Sequence, residues 1–178
     1  MTNETGYLIV QTVADADALM ARVRESADYV REWLIAQTGD PLAMLRAMKF
    51  ETVGFHPINH RPINFVEQIN QTWTFTAALA AARQLLALHP DAGGFRLAPG
   101  AHAALPLDIM SEQEGLVGAK VFAAVWPHSN GKLENDLDKL KGRPEKHRYV
   151  FFMSPRFPSN KRRFELERDG IQVWSVDV

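Results

Sequence analysis

A carboxylate, Asp108, lies in one apolar stretch of this sequence, and an ammonium group, Lys120, lies in the next. The two stretches, residues 105–110 and 116–127, are separated by the polar segment SEQEG, which is typical of the turn of a β-hairpin. A charge inside a buried strand costs free energy unless a partner ion, a metal or solvent compensates it. Asp108 is therefore the first candidate for a functional group.

The register of this hairpin decides whether the two charges meet. A turn centred on Gln113 places Asp108 opposite Gly118 and puts Lys120 on the same face, diagonal to Asp108 at about 7–8 Å. A register that differs by one residue would turn Lys120 to the other face of the sheet. The sequence thus predicts a carboxylate and an ammonium group on one face, on condition that this register holds.

An N-terminal helical layer and a loop are predicted over residues 1–63. The first helix covers residues 15–36, where apolar residues recur at helical spacing, with Asp15 or Asp17 as the N-cap. The second helix begins at Pro41, because proline suits the first turn of a helix.

Residues 64–178 are predicted to form an α/β core. A long helix covers residues 64–89, and its apolar positions, Trp73 among them, are expected to face the sheet. A short strand near Phe95, the hairpin, a polar helix and a buried strand follow, and a charged helix over residues 159–170 precedes the last strand. This order predicts an α/β fold with a mixed β-sheet flanked by helices, in a single domain.

That order, with an acid on the second core strand and a lysine on the third, resembles the core of the restriction-endonuclease-like, or PD-(D/E)XK, nuclease superfamily. Pro106-Leu107-Asp108 corresponds to the proline–aspartate element with one residue inserted, and Gly118-Ala119-Lys120 corresponds to Glu-x-Lys. The resemblance covers residues 64–178 and implies a restriction-endonuclease-like core with the N-terminal layer added. It also implies hydrolysis of phosphodiester bonds in DNA or RNA, with Mg²⁺ or Mn²⁺ as cofactor and Asp108 and Lys120 as catalytic residues.

The family pattern has a second carboxylate where this sequence has Gly118. One carboxylate is a poor Mg²⁺ site, because a strongly hydrated ion gives up its waters reluctantly. With Asp108 as one metal ligand, the candidates for another are Glu134 on the polar helix and Glu67 on the long helix. Because Gly118 supplies no carboxylate, two alternatives to a nuclease stay open. One is an inactive nuclease-like fold that binds nucleic acid or a protein, and the other is a purely structural Asp108–Lys120 ion pair.

Basic residues are concentrated in the last third of the chain. Residues 1–117 contain 8 Lys and Arg against 13 Asp and Glu, whereas residues 118–178 contain 12 against 8. Such clusters suit a phosphate backbone, although solvated helix faces look the same. A nuclease would need the basic residues on one rim with Asp108. The candidate nucleic-acid contacts are Lys132, Arg143, Lys146, Arg162 and Arg163.

The chain contains no cysteine, which excludes a disulfide framework and a thiolate metal site and favours a cytoplasmic location. Neither a membrane-spanning run nor a signal peptide is recognisable, so no membrane partner is expected. The resemblance to nucleases raises a further expectation, a homodimer or a subunit of a larger complex, because many nucleases of this size need two copies to cut both strands.

Overall fold

The computed structural model describes residues 6–100 and 104–178. The helices in these residues are α1 (Val13–Ile35), α2 (Pro41–Phe50), α3 (Phe65–Leu88) and α4 (Lys132–Leu140). The strands are β1 (Leu8–Val10), β2 (Gly54–Phe55), β3 (Pro62–Ile63), β4 (Phe95–Leu97), β5 (Ile109–Ser111), β6 (Val117–Ala123), β7 (His147–Met153), β8 (Lys161–Arg162) and β9 (Gln172–Ser175).

Within the described residues, seven strands form one mixed sheet in the order β1, β4, β5, β6, β7, β9, β8. Neighbours from β1 to β6 are antiparallel, β6, β7 and β9 are parallel, and β8 closes the edge as an antiparallel strand. Helix α4 connects β6 to its parallel neighbour β7, as a crossover must. The predicted α/β class with a mixed sheet and flanking helices is confirmed.

The residues before position 64 contribute to this sheet as well as to the helical layer. Strand β1 pairs with β4 at one edge, and the short ribbon of β2 and β3 lies apart from the main sheet. Helix α1 packs along α3 rather than forming a separate unit, since its buried residues Ala16 and Val23 belong to the same apolar core as α3. The N-terminal layer is therefore built onto the core of the fold.

The N-terminal helices begin at capping residues. Thr12 caps α1 by accepting a hydrogen bond from the Asp15 backbone N–H at 3.2 Å, and the Asp15 carboxylate accepts one from the Thr12 N–H at 2.8 Å. This reciprocal pair is a capping box, so the predicted N-cap at Asp15 or Asp17 is wrong by a few residues. Asp40 caps α2, and the helix begins at Pro41 as predicted.

Helix α3 lies across one face of the sheet and extends beyond it. Its alanine-rich centre, residues 77–82, is buried and permits close approach to the strands. Its amino-terminal turns behave differently, because Val66, Ile69 and Trp73 are 40%, 43% and 49% exposed. The prediction that these positions face the core is wrong. A helix of 24 residues is about 36 Å long, whereas the seven-residue strands beneath it span only about 23 Å.

Two apolar cores lie on opposite faces of the sheet. The larger core packs α1 and α3 against one face, with Phe95 and Phe151 fully buried in it. The smaller core packs Leu133, Leu137 and Leu140 of α4 against the other face. Lys120 and Gly118 alternate with residues of the larger core along β6, so both lie on the α4 side.

The charged segment over residues 159–170 is not a helix. It forms β8 and a single 3₁₀ turn at Phe164–Leu166, and the backbone N–H of Arg163 bonds to the carbonyl of Val173 at 2.7 Å. The segment lacks a continuous apolar stripe that a helix could bury, and it covers an edge of β9 that would otherwise be unpaired. The predicted helix here is wrong.

None of the helices in the described ranges is both long and apolar enough to cross a membrane.

Candidate functional site

Asp108 and Lys120 meet where β5 begins and β6 passes its midpoint. Ile109 pairs with Ala119, so Asp108 lies opposite Lys120 and not opposite Gly118. The predicted register is therefore wrong by two residues. A shift of two keeps every side chain on its face, and the Nζ atom of Lys120 lies 2.6 Å from Oδ1 of Asp108.

Both carboxylate oxygens of Asp108 are bound by the protein itself. Oδ1 accepts a hydrogen bond from the ammonium group of Lys120, and Oδ2 accepts one from the backbone N–H of Val121 at 2.7 Å. The side chains of Asp108 and Lys120 are only 6% and 14% exposed. The charge that the sequence places inside a strand is thus compensated by a buried ammonium group.

Glu145 occupies the space above Gly118, and sequence analysis missed it. A Cβ atom on Gly118 would lie 3.0 Å from Cγ of Glu145 and 2.6 Å from Cδ1 of Leu107. The Glu145 carboxylate is 2% exposed and is held by Arg143, whose Nη2 atom lies 2.6 Å from Oε1. A helix and a turn separate Glu145 from β6 in the chain. The only signal in the sequence that another group comes close to this strand is Gly118, a glycine inside an apolar strand.

Opposing effects act on the ionisation of Glu145. Burial raises the pKa of this carboxyl group, but hydrogen bonds from Arg143 and from its own backbone N–H, with the charges of Arg143 and Arg148, together bring the pKa below its ordinary value. Glu145 is therefore a carboxylate that is bound to its own arginine.

The three predicted metal ligands are not brought together. Glu134 lies 2.5 Å from Nδ1 of His128, and this hydrogen bond lowers the pKa of Glu134. Glu67 accepts a hydrogen bond from Gln71 at 2.7 Å, in the first turns of α3. Over residues 6–100 and 104–178, no three His, Cys, Asp or Glu side chains are grouped so that they could hold a metal ion. With both oxygens of Asp108 already bound, these residues do not fit Mg²⁺ or Mn²⁺.

Most of the predicted phosphate contacts are paired with carboxylates. Arg143 binds Glu145, Arg162 lies 2.6 Å from Glu167, and Lys132 lies 2.9 Å from the buried Asp136. Their charges are largely neutralised within the protein. A basic residue already held in this way offers little to an external phosphate.

The basic residues also lie at different places along the sheet. Arg143 and Lys146 precede the first residue of β7, whereas Arg162 pairs with Trp174, which is level with Phe151 of β7. Five residues of strand separate the two levels, or about 16 Å. The predicted contacts therefore do not all lie at one level of the sheet.

Nine basic residues have no carboxylate within 4.0 Å in the part of the chain that the structure describes. Three of them, Arg156, Lys161 and Arg163, lie in the segment that follows β7, and two of these three lie over aromatic rings. The guanidinium carbon of Arg156 lies 4.7 Å from the ring centre of Trp126, and that of Arg163 lies 4.9 Å from the ring centre of Phe157. These five residues are called the arginine–aromatic rim below.

Comparisons of this chain with protein-family models, with curated proteins and with solved structures found no match. The Asp108–Lys120 pair and the arginine–aromatic rim are therefore the features from which a function can be argued.

Proposed function

We propose that this chain is a nuclease-like α/β module that binds nucleic acid without cleaving it. The order of its elements supports the nuclease-like core. Helix α3, the antiparallel strands β4, β5 and β6, the crossover helix α4 and the parallel strand β7 follow the pattern on which the resemblance to the restriction-endonuclease-like superfamily rests. Asp108, the acid of that pattern, directly precedes β5, and Lys120, its lysine, lies on β6.

The proposal that the chain does not cleave nucleic acid rests on the ammonium group bound to Asp108. Lys120 lies opposite Asp108 and supplies the positive charge that compensates this aspartate, whereas Gly118 stands where the family pattern has a second carboxylate. A divalent cation at Asp108 would lie beside the ammonium group of Lys120, so two positive charges would repel each other in a pair that is almost wholly buried. The pair therefore acts as part of the protein core.

Binding of nucleic acid is supported by the arginine–aromatic rim. Its three cations are not neutralised by carboxylates in the described residues, and cations of this kind bind phosphate and release counterions. Arg156, stacked on Trp126, is held in place while its N–H groups stay available to an acceptor. Arg163 is held over Phe157 and also donates hydrogen bonds to the hydroxyls of Ser175 and Ser159, which fix its charge at this surface. These features favour a nucleic acid over a neutral or cationic partner.

The test compares binding and cleavage in one set of samples. Labelled single- and double-stranded DNA and RNA are titrated with the full chain by fluorescence anisotropy, and the same substrates are incubated with Mg²⁺ and with Mn²⁺. We expect binding without strand cleavage, and we expect Asp108→Asn to bind as the wild type does. Failure to bind any of the four nucleic acids would overturn the proposal.

A metal-dependent nuclease is the second candidate. It is favoured by one observation, that Asp108 and Lys120, which match the acid and the lysine of the family pattern, lie on the same face. Cleavage that requires Mg²⁺ or Mn²⁺ and disappears in Asp108→Ala would establish the nuclease and replace the proposal of binding alone.

A further inference from the structure

An apolar cleft of about 610 Å³ lies next to the arginine–aromatic rim. Ile69 and Trp73 of α3 form one wall, and Val125, Pro155 and Pro158 form the other. The side of α3 that was expected to face the core instead lines this cleft, which explains why large apolar side chains remain exposed there. An exposed apolar concavity of this kind is typical of a ligand site.

The cleft lies at the carboxyl ends of two parallel strands. Its lining includes Ala123, the last residue of β6, and Met153, the last residue of β7. In open α/β sheets, ligands bind in the crevice outside the carboxyl ends of the strands. The position of the cleft in the sheet thus agrees with its apolar lining.

Positive charge adjoins the cleft on one side. Arg156 lies in the chain between the lining residues Pro155 and Pro158, and it stacks on Trp126, which is 48% exposed and follows Val125 of the wall. The cleft itself holds one carboxylate, Asp177. Phosphate is therefore favoured at the arginine and disfavoured inside, where the walls are apolar and the charge is negative.

We infer that this cleft holds a nucleobase of a single-stranded nucleic acid, with the strand's phosphates on the arginine–aromatic rim. This inference rests on the proposed function and specifies its ligand. The indole of Trp73 offers a flat face on which any base can stack, and the carboxylate of Asp177 can accept a hydrogen bond from an exocyclic amino group. A duplex cannot present a base in this way, because its bases are stacked on one another and paired.

The test measures the affinity of labelled single-stranded and duplex DNA of equal length for the full chain. Stacking on an aromatic side chain predicts that Trp73→Ala weakens single-strand binding at least about tenfold. Trp73→Phe keeps an aromatic face and should restore most of the affinity. Phe50→Ala, which removes an aromatic side chain that is 74% exposed on α2, is the matched control and should leave the affinity unchanged.

The outcomes separate this inference from the function on which it rests. Binding that is equal for single strand and duplex, and unaffected by Trp73→Ala, would overturn the cleft as a base site and leave nucleic-acid binding in place. Loss of binding in every sample would instead remove the proposed function.

A free nucleotide and a second copy of this chain are the other occupants that the experiment tests. A mononucleotide that competes as strongly as the oligonucleotide would show that the cleft serves a free nucleotide, and would overturn the inference. A dimer seen by light scattering without nucleic acid, and abolished by Trp73→Ala, would show that a second copy of the chain fills the cleft, and would also overturn the inference.

Discussion

Asp108 shows how a residue can match a catalytic pattern and yet be engaged by the protein. Its two oxygens bind Lys120 and the Val121 N–H, and its exposed fraction is small. A buried ion pair of this kind adds little net stability compared with apolar residues of the same size, but breaking it is costly because a charge is left without a partner. This asymmetry makes the pair testable one residue at a time.

Removal of Lys120 alone should destabilise the protein. We expect Lys120→Met to lower the free energy of unfolding by about 3 kcal/mol, because the buried Asp108 carboxylate keeps only the Val121 N–H as its partner. The double variant Asp108→Asn with Lys120→Met removes both charges and should recover most of this loss. Urea unfolding measures both changes. A loss below about 1 kcal/mol in Lys120→Met would mean that solvent screens the pair.

Restoring the carboxylate of the family pattern at position 118 should also destabilise the protein. A Cβ atom there would lie 2.6 Å from Leu107 Cδ1, so we expect Gly118→Ala to cost about 1–3 kcal/mol through overpacking. Gly118→Glu should cost more than Gly118→Ala, because it adds a second negative charge beside Glu145. Thermal unfolding of the two variants makes the comparison. Equal stabilities would show that Glu145 moves aside.

At the scale of elements, α3 has two different roles along its length. Its centre, rich in alanine, packs tightly on the sheet, and its first turns project past the strands and line the cleft. Its carboxyl end is tied to β7 through His89, whose Nε2 lies 2.7 Å from the hydroxyl of Tyr149. One helix therefore joins the core, the candidate ligand site and a buried histidine.

The contact between α3 and β7 should weaken in acid. Burial, and next the charge of His147, lower the pKa of His89 below its ordinary value of 6.5, while Asp91 opposes and Lys146 assists the shift. The unfolded chain therefore binds a proton more readily than the folded chain, and stability falls as pH drops below about 6.5. We expect the melting temperature to fall between about pH 7.5 and pH 5.5.

The variant His89→Gln is the control for this pH dependence. Glutamine can hydrogen-bond to Tyr149 but does not titrate, so the fall in melting temperature should be smaller than in the wild type. Part of the fall should remain, because burial also lowers the pKa of His56. An unchanged pH dependence in His89→Gln would assign the effect to other groups.

At the scale of the whole molecule, the charge surplus of the last third is mostly used internally. Seven of its twelve basic residues, Arg143, Arg162 and Lys132 among them, lie within 4.0 Å of a carboxylate. A count of basic residues in the sequence therefore overstates the charge that can bind a phosphate backbone. The consequence is a modest dependence of binding on salt.

Salt titration of single-strand binding measures that free charge. With Arg156, Lys161 and Arg163 as the phosphate contacts, the logarithm of the association constant should fall against the logarithm of salt concentration with a slope of about −2. Arg156→Gln should reduce the slope by about 0.7, whereas Lys49→Gln on α2 should leave it unchanged. A slope steeper than about −5 would mean that basic residues outside the rim also bind phosphate.

Several features followed from local sequence alone. The α/β class, the long helix after Asn64, the second helix at Pro41 and the central strands were all predicted. Each depends on apolar period, a cap or a proline within a few residues, so nearby sequence is sufficient to specify it. That Asp108 and Lys120 lie on one face was predicted on condition of the register, and it holds because the observed register differs from the predicted one by two residues.

The tertiary structure alone decided what surrounds those residues. The register of β5 and β6, the approach of Glu145 to Gly118, the pairing of basic residues with acids and the exposure of Trp73 all depend on segments that are distant in the chain. An apolar pattern shows that a side chain can be buried, but it does not show how far the sheet beneath it extends. Contacts of that range are set by packing of the whole domain, and the residues near a position in the sequence do not specify them.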